Sequence, residues 1–394
     1  MYRFLQGSRP VSGLFVPKFL YFLYYAAAAA WIPYLNLYYE QRGLSPSQIG
    51  LLAGLPALIS LASAALWGGI ADRTHRHKQV LVLAICSAVT AVLLLSRANT
   101  FSLLIPLIAL YAFFVAPIMP LIDNAVLGLL GANKNRYGRL RLWGAVGWGV
   151  AAPLVGLLVD RTGLHWIFFS YAALMLGNLL LILRLPVDRT SVGQSFWRGF
   201  HHLLTNKRWV LFLLSVLIGS IGRAMINNFL FLYMDGRGVS KGLMGLSLAV
   251  ASISELPIYF FSTHLLKRWG SRGLLVFALI ASVLQPFAYS LVTAPWLFLL
   301  AQLLHGPSFS AMQVAGVSYA DEIAPDGMGA TAQGVFSSVI IGLASLLGAV
   351  IGGVLYQSVG AVAIFRSASA FALLGLSIFV GANKCTMPRW LKRS

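Results

Sequence analysis

The sequence predicts an all-α polytopic membrane protein, with twelve transmembrane helices arranged as two pseudo-symmetric six-helix bundles. Three observations carry that expectation. Of 394 residues, 59% are hydrophobic and only 10% are charged, whereas an ordinary soluble domain is about 25% charged. The apolar stretches match the roughly 20 residues that a helix needs to cross a bilayer, and short polar turns separate them. A loop pattern from the first half of the chain recurs in the second.

Apolar periodicity and Pro/Gly punctuation place the first six helices near residues 14–39, 47–70, 79–97, 101–129, 139–159 and 165–184. A second set follows near 209–234, 242–265, 273–292, 295–319, 329–356 and 360–382. The fourth helix carries Pro117 and Pro120, so a kink is expected there. The turn after the second helix, Gly68–Lys78, reads GGIADRTHRHK and holds six ionisable side chains between two apolar runs. Such a turn belongs in water and headgroups. The longest break, 185–208, sets Phe196, Trp197, Phe200, Leu203 and Leu204 among Arg198, His201 and His202. That spacing suits a short amphipathic helix on the membrane surface. The expected domains are therefore 1–184, a 185–208 linker, and 209–394.

Basic residues orient the chain. Twenty-two of the 29 Lys and Arg residues fall on one set of loops and tails, from Arg3 to Arg393, against five on the other. By the positive-inside rule both termini are cytoplasmic, and a cell (inner/plasma) membrane is the expected location. The turn between helices 10 and 11 dissents, with Asp321, Glu322, Asp326 and no base.

The net charge of +19 is explained by those loops and by anionic lipid headgroups. Nucleic acid is not an expected partner, because no basic run with interleaved aromatics stands apart from the spans. Cys86 and Cys385 form no metal spacing or CxxC pair, and the first apolar stretch has no small-residue cleavage site. P-loop, HExxH and G-x-S-x-G patterns are absent. Neither an enzyme activity, a cofactor nor a metal is expected. The partners are lipid, a small-molecule substrate and protons, and the expected assembly is a monomer.

Residues 37–51, LYYEQRGLSPSQIGL, align without a gap to residues 232–246, LYMDGRGVSKGLMGL, at an offset of 195. The shared Arg-Gly-x-Ser lies in a loop, where hydrophobicity alone does not produce likeness. The halves thus run in the same orientation. The same offset sets Lys267, Arg268 and Gly270 opposite Asp72, Arg73 and His75.

Twelve helices, two parallel halves and a charged 2–3 turn together resemble the major facilitator superfamily. Residues Gly68 to Lys78 are similar to its G-x-L-A-D-R-x-G-R-R/K signature, with His75 where Gly is usual. Arg136 to Gly144, RYGRLRLWG, resembles the YGRIRLWGS segment of the phenylpropionate permease-like branch, which is related to nucleoside:proton symporters and distantly to lactose permease. Glu255-Leu256-Pro257, His305-Gly306-x-x-Phe309 and Gln333-Gly334 are also similar to that branch. The resemblance implies a secondary transporter with alternating access. Its solute would be a sugar, a nucleoside or an aromatic carboxylate, moved by proton symport. Efflux by antiport is the alternative in transport, and a non-transporting receptor or scaffold is the alternative of another class. Antiporters of the superfamily often carry G-x-x-x-G-P-x-x-G-G in helix 5. Here Gly144, Gly147, Gly149, Pro153 and Gly156 are glycine-rich without that spacing.

An ionisable group at membrane depth is expensive and so a functional candidate. Glu255, mid-helix 8, shares a face with Ser247, Tyr259 and Ser262. It either carries a proton or makes a structural ion pair with Arg223. Arg223, near Asn227 and Asn228, has a second reading as the receptor of a substrate carboxylate. His305, with Gln302 one turn before it, is either a proton relay or a hydrogen-bonded packing residue. Asp123, beside Asn124, is the second expected proton carrier after Glu255, and with Arg141 it resembles the helix 4 acid and helix 5 base of lactose permease, which contribute to substrate binding there. A salt bridge at the rim is the other reading. Tyr24, Trp31 and Tyr38 share one face of helix 1, either to stack a substrate ring or to pack. In the 2–3 turn, Gly68, Asp72, Arg73 and Arg76 are expected to form a conformational latch. The resemblance implies partners for Asp72 around the start of helix 11.

Overall fold

The computed structural model describes residues 15–184, 205–325 and 328–385. The expected amphipathic helix at 196–204 and Asp326 lie outside the described residues. The first six spans are α1 (Phe15–Gln41), α2 (Pro46–Thr74), α3 (His77–Leu95), α4 (Phe101–Val115 and Ile118–Leu130), α5 (Tyr137–Thr162) and α6 (Trp166–Leu183). The second six are α7 (Lys207–Asp235), α8 (Lys241–Phe260), α9 (Ser262–Leu291), α10, α11 and α12 (Ala361–Cys385). Helix α4 breaks before Ile118, where the Pro117 ring interrupts the ladder.

Eleven helices among the described residues are long and apolar enough to cross a membrane. The twelfth expected span, α10, is broken into Leu297–Gln302, Gly306–Ser310 and Ala311–Ile323. Its middle piece is a wide π turn in which the Ala311 N–H donates to the Gly306 carbonyl, five residues back. Helix α11 repeats the device across Gly329–Ser337, Ser338–Leu343 and Ala344–Val359, with Ala344 donating to Val339. Such turns re-aim side chains and recur at functional sites.

Five of the seven residues shared by the repeated pattern have the same structural role in both copies. Ser45 and Ser240 are the N-caps of α2 and α8, accepting from the Gln48 and Leu243 N–H groups. Gly43 and Gly238 turn the chain at φ 79° and 73°. Arg42 and Arg237 lie over the rings of Tyr38 and Tyr233 at 4.9 and 5.0 Å. Gly50 and Gly245 press on opposite halves, where a Cβ would stand 2.4 Å from the Ala349 carbonyl and 2.3 Å from the Ala152 carbonyl.

The 195-residue offset holds at the other end too. His75 and Gly270 are both left-handed, at φ 54°, ψ 29° and φ 66°, ψ 170° respectively. The first is the αL region, which His tolerates at some cost. The second is a region open essentially to Gly alone. That difference explains why one copy keeps the glycine and the other does without it. Gly270 also divides two helices within α9. The eighth span continues through Phe261, whose N–H donates to the Pro257 carbonyl and whose own carbonyl accepts from Leu265.

The two bundles meet tightly at the Gly43 end, through α2 on α11 and α5 on α8. Small residues let the backbones approach there, as membrane helices require in the absence of a hydrophobic drive between them. Tyr34 on α1 donates to the Ala152 carbonyl at 2.8 Å and also reaches the Lys241 carbonyl. The Asp160 carboxylate accepts from the Lys241 and Gly242 N–H groups, both at 2.7 Å, at the first turn of α8. Asn36 donates to the Asn228 carbonyl at 2.7 Å. The His75 end is looser, and Gly68 and Gly69 face open space.

Candidate functional site

A cavity of about 970 Å³ lies between the bundles. It runs from Ile32 and Leu248 to Gly138 and Arg139 at the start of α5, on the side of the His75 end. Beyond Trp148 the contacts of α5 with α8 close it. Aromatic side chains (Tyr25, Trp148, Phe231, Tyr259, Phe309) and amides (Asn227, Gln285, Gln302, Gln313) share its wall with Arg141, Glu255 and His305. That size and mixture suit a small organic ligand.

Glu255 and His305 face each other across the wall, with Nε2 3.5 Å from Oε1 and each side chain 19% exposed. The glycine of His305-Gly306 sets this up. A Cβ at Gly306 would stand 1.9 Å from the Ser254 carbonyl, so α10 touches the α8 backbone at the residue before Glu255. The Gly306 N–H donates to Ser254 Oγ at 2.8 Å. Phe309 stacks on the imidazole at 5.4 Å, and the Arg223 guanidinium lies 4.9 Å from the same ring. Behind His305 is a polar chain: Gln285, Ser308, Tyr289, Gln302 and Ser247 are linked by hydrogen bonds across α8, α9 and α10.

The Glu255–Arg223 ion pair, one of the two readings of Glu255, is not formed. Ion pairs among the described residues join Asp72 to His77, Asp123 to Arg141, Asp235 to Lys241 and Glu255 to His305. Arg223 instead lies over the π face of Phe309, and it is His305 that faces the carboxylate. Asp123 binds Arg141 at 3.4 Å, the salt bridge that was one of its two readings, and accepts a 2.6 Å hydrogen bond from Tyr21. Arg141 lines the cavity, whereas Asp123 and Asn124 do not.

The aromatic stripe of α1 packs instead of facing a ligand. Trp31 is fully buried, donates to the Tyr111 hydroxyl at 3.3 Å and meets Phe168 and Tyr171. Tyr24 lies edge-on to Tyr25 at 5.5 Å, and it is Tyr25, rotated one residue around the helix, that lines the cavity. Asn228 is absorbed by α7, donating to the Ala224 carbonyl at 2.8 Å, while Asn227 reaches the wall. Asp72 does not reach α11. It pairs with buried His77 of its own turn at 3.0 Å, and Arg73 and Arg76 are exposed. At this loose end the nearest donor is local. Two glycines of α5 serve α1, since Cβ atoms at Gly144 and Gly147 would collide with the Tyr25 ring and the Phe22 carbonyl, while one at Gly156 would stand 2.3 Å from the Lys241 carbonyl of the other bundle.

Sequence reasoning missed Tyr25, Trp148, Gln285 and Phe309 as wall residues and Asp160 as a tie between bundles. The one available signal was Gln285, a buried amide in an otherwise apolar span.

The model of the MFS_1 like family matches residues 14–367. Maltose permease of Geobacillus stearothermophilus is 28% identical over 352 residues, covering 88% of this chain and 89% of that protein. An Escherichia coli (strain K12) protein described as a probable 3-phenylpropionic acid transporter is also 28% identical, covering 86% and 90%. The crystal structure of the nucleoside transporter NupG superposes with a TM-score of 0.85 at 19% identity, covering 94% of this chain and 99% of that one. The chain belongs to the MFS_1 like family, and it is a multi-pass membrane transporter of the major facilitator type, not an enzyme.

Proposed function

From this membership, we propose that the protein is a proton-coupled symporter of a small polar or amphipathic organic solute, with Glu255 as the proton carrier. The solute class is a sugar, a nucleoside or an aromatic carboxylate. The observation that carries the reading is the Glu255–His305 pair in the wall of a cavity between two bundles. A partly buried carboxylate beside a cavity has a route to water, and an ionisable group at membrane depth is a functional candidate. Without a nucleotide-binding loop, accumulation has to draw on an ion gradient. Arg141, Asn227, Tyr259 and Gln302 are the proposed substrate contacts, joined by Tyr25. Arg223 is held in reserve behind Phe309.

Both termini are cytoplasmic in this reading, which makes the His75 end the inner one and the conformation inward-facing. The bundles, 1–184 and 209–394 around the 185–208 linker, rock about the central site. In the outward-facing state Asp72 exchanges His77 for a partner in the other bundle, which is its latch role. Asp123, with one oxygen on Tyr21 and the other on Arg141, serves as a fixed counter-ion rather than a second carrier. Efflux is disfavoured because Gly144, Gly147, Gly149, Pro153 and Gly156 of α5 do not follow the antiporter spacing.

The test uses purified protein in vesicles. Substrates are first identified by thermal stabilisation across sugars, nucleosides and aromatic acids. An imposed proton gradient then drives uptake in the wild type. Glu255→Gln abolishes that gradient-driven accumulation while substrate exchange at equilibrium continues. Gradient-driven accumulation that survives Glu255→Gln rules the carrier assignment out.

A further inference from the structure

Gln285 lies on α9, 2% exposed, one helix away from the carboxylate. Its amide is held at both ends. Ser308 Oγ is 2.5 Å from Gln285 Oε1, and Gln285 Nε2 is 3.2 Å from the Tyr289 hydroxyl and 3.5 Å from His305 Nδ1. The Tyr289 hydroxyl is 2.8 Å from Gln302 Oε1, and Gln302 Nε2 is 3.4 Å from Ser247 Oγ. Ser247 Oγ is in turn 2.6 Å from the Met244 carbonyl.

These distances give the chain a direction. O–H···O bonds are shorter than N–H···O bonds, about 2.7 against about 2.9 Å, and only the former reach ~2.5 Å. Ser308 Oγ also lies 3.1 Å from the His305 carbonyl, but its 2.5 Å contact is the shorter, so its proton goes to the Gln285 amide oxygen, and Tyr289, which accepts from Gln285, donates to Gln302. Ser247 has one proton and gives it to the Met244 carbonyl, so it accepts from Gln302. Each link then agrees with the next, and the Gln285 NH₂ group is left to donate towards His305. Reversing the chain would turn every amide and forfeit the Ser247 bond to Met244.

We propose that Gln285 is a positioning residue that holds the His305 ring as the Nε2–H tautomer, so that His305 donates to Glu255 and does not itself hold the transported proton. A neutral imidazole has one N–H, and the acceptor nitrogen is fixed by whichever donor faces it. Here Gln285 faces Nδ1, which leaves the proton on Nε2, the nitrogen that faces Glu255 Oε1. A second proton on Nδ1 would point at the Gln285 NH₂ group and lose that bond. The groups facing the ring are Glu255 on α8, Gln285 on α9 and Phe309 on α10 itself, with Arg223 of α7 over the Phe309 ring. Arg141 and Tyr25 stand on the cavity wall supplied by the other bundle. The imidazole thereby becomes a neutral donor that aims the carboxylate, and the roles of the two residues separate.

The inference deepens the reading of Glu255 as carrier, and its readout is independent of transport. The full chain is prepared with ¹⁵N-histidine in lipid nanodiscs, and the His305 signals are identified by their loss in His305→Gln. In the wild type, Nδ1 is expected to be of the unprotonated type and Nε2 of the protonated type. Gln285→Glu, which replaces the donor with an acceptor, moves the proton to Nδ1. Gln285→Met, which keeps the bulk and removes the donor, releases the tautomer to a mixture and serves if the Glu variant does not fold. A protonated Nδ1 in the wild type, or His305 signals indifferent to both variants, overturns the proposal. Uptake without gradient response together with the Nε2–H tautomer would refute coupling and leave this inference standing. The reverse combination would do the opposite.

Discussion

Asp160 and Gln357 are counterparts across the two bundles. Each stands three residues before a left-handed glycine, Gly163 or Gly360, at φ 95° and 84°. Each reaches the first turn of the opposite bundle's second helix: Asp160 accepts from the Lys241 and Gly242 N–H groups, and Gln357 accepts from the Ser47 N–H at 3.3 Å. A carboxylate satisfies two orphan N–H groups and also meets the positive end of the helix dipole. An amide oxygen makes one neutral bond.

The tie at Asp160 is therefore the stronger. Asp160→Ala is expected to shift the population away from the Gly43-end-closed conformation by about tenfold, since charged hydrogen bonds contribute about 1.5–3 kcal/mol. Gln357→Ala shifts it by about threefold or less. Spin-label distances across the Gly43 end measure both, and equal effects would contradict the asymmetry.

Gly306 decides whether α10 can approach α8 at all. Gly306→Ala puts a methyl group into the Ser254 carbonyl, and such overpacking costs about 1–3 kcal/mol. The helices separate, the His305–Glu255 contact lengthens, and uptake falls below a tenth of wild type while the protein still inserts. Normal uptake by this variant would show that the close approach is dispensable.

The turns at His75 and Gly270 make opposite demands. A non-glycine residue in the left-handed region costs about 1–2 kcal/mol, part of which glycine returns through the unfolded chain. His75→Gly should raise stability by up to about 1 kcal/mol. Gly270→Ala, at ψ 170°, should lower it by about 1–3 kcal/mol. Thermal unfolding of the two purified variants reads the opposite signs directly.

Asp123 and Glu255 separate by function. Asp123→Asn keeps an acceptor for Tyr21 and frees Arg141 towards the cavity, so KM changes several-fold while accumulation still follows the proton gradient. Glu255→Gln loses the gradient response itself. Uptake measured with and without an imposed gradient distinguishes them, and loss of coupling in Asp123→Asn would return it to the list of carriers.

The spans were legible because membrane helices must be long, apolar and punctuated by polar turns, and each demand is local. The repeat was legible for the same reason. Tyr38, Arg42, Gly43, Ser45 and Gly50 serve a ring contact, a turn, a cap and a close approach, and Tyr233, Arg237, Gly238, Ser240 and Gly245 serve them again. Helix α10 was expected as one span and is three pieces, with its π turn starting at Gly306, where the backbone of α8 comes closest. The site was half legible. Rarity of charge at membrane depth singled out Glu255, His305, Asp123, Arg141 and Arg223, yet rarity does not pair them. Pairing depends on helix rotation and depth, set by contacts between residues far apart in sequence. For that reason residue order alone carries the class, the duplication and the candidate charges. Helix packing sets the rest: His305, rather than Arg223, meets Glu255, Tyr25 rather than Trp31 faces the cavity, and Asp160 joins the bundles.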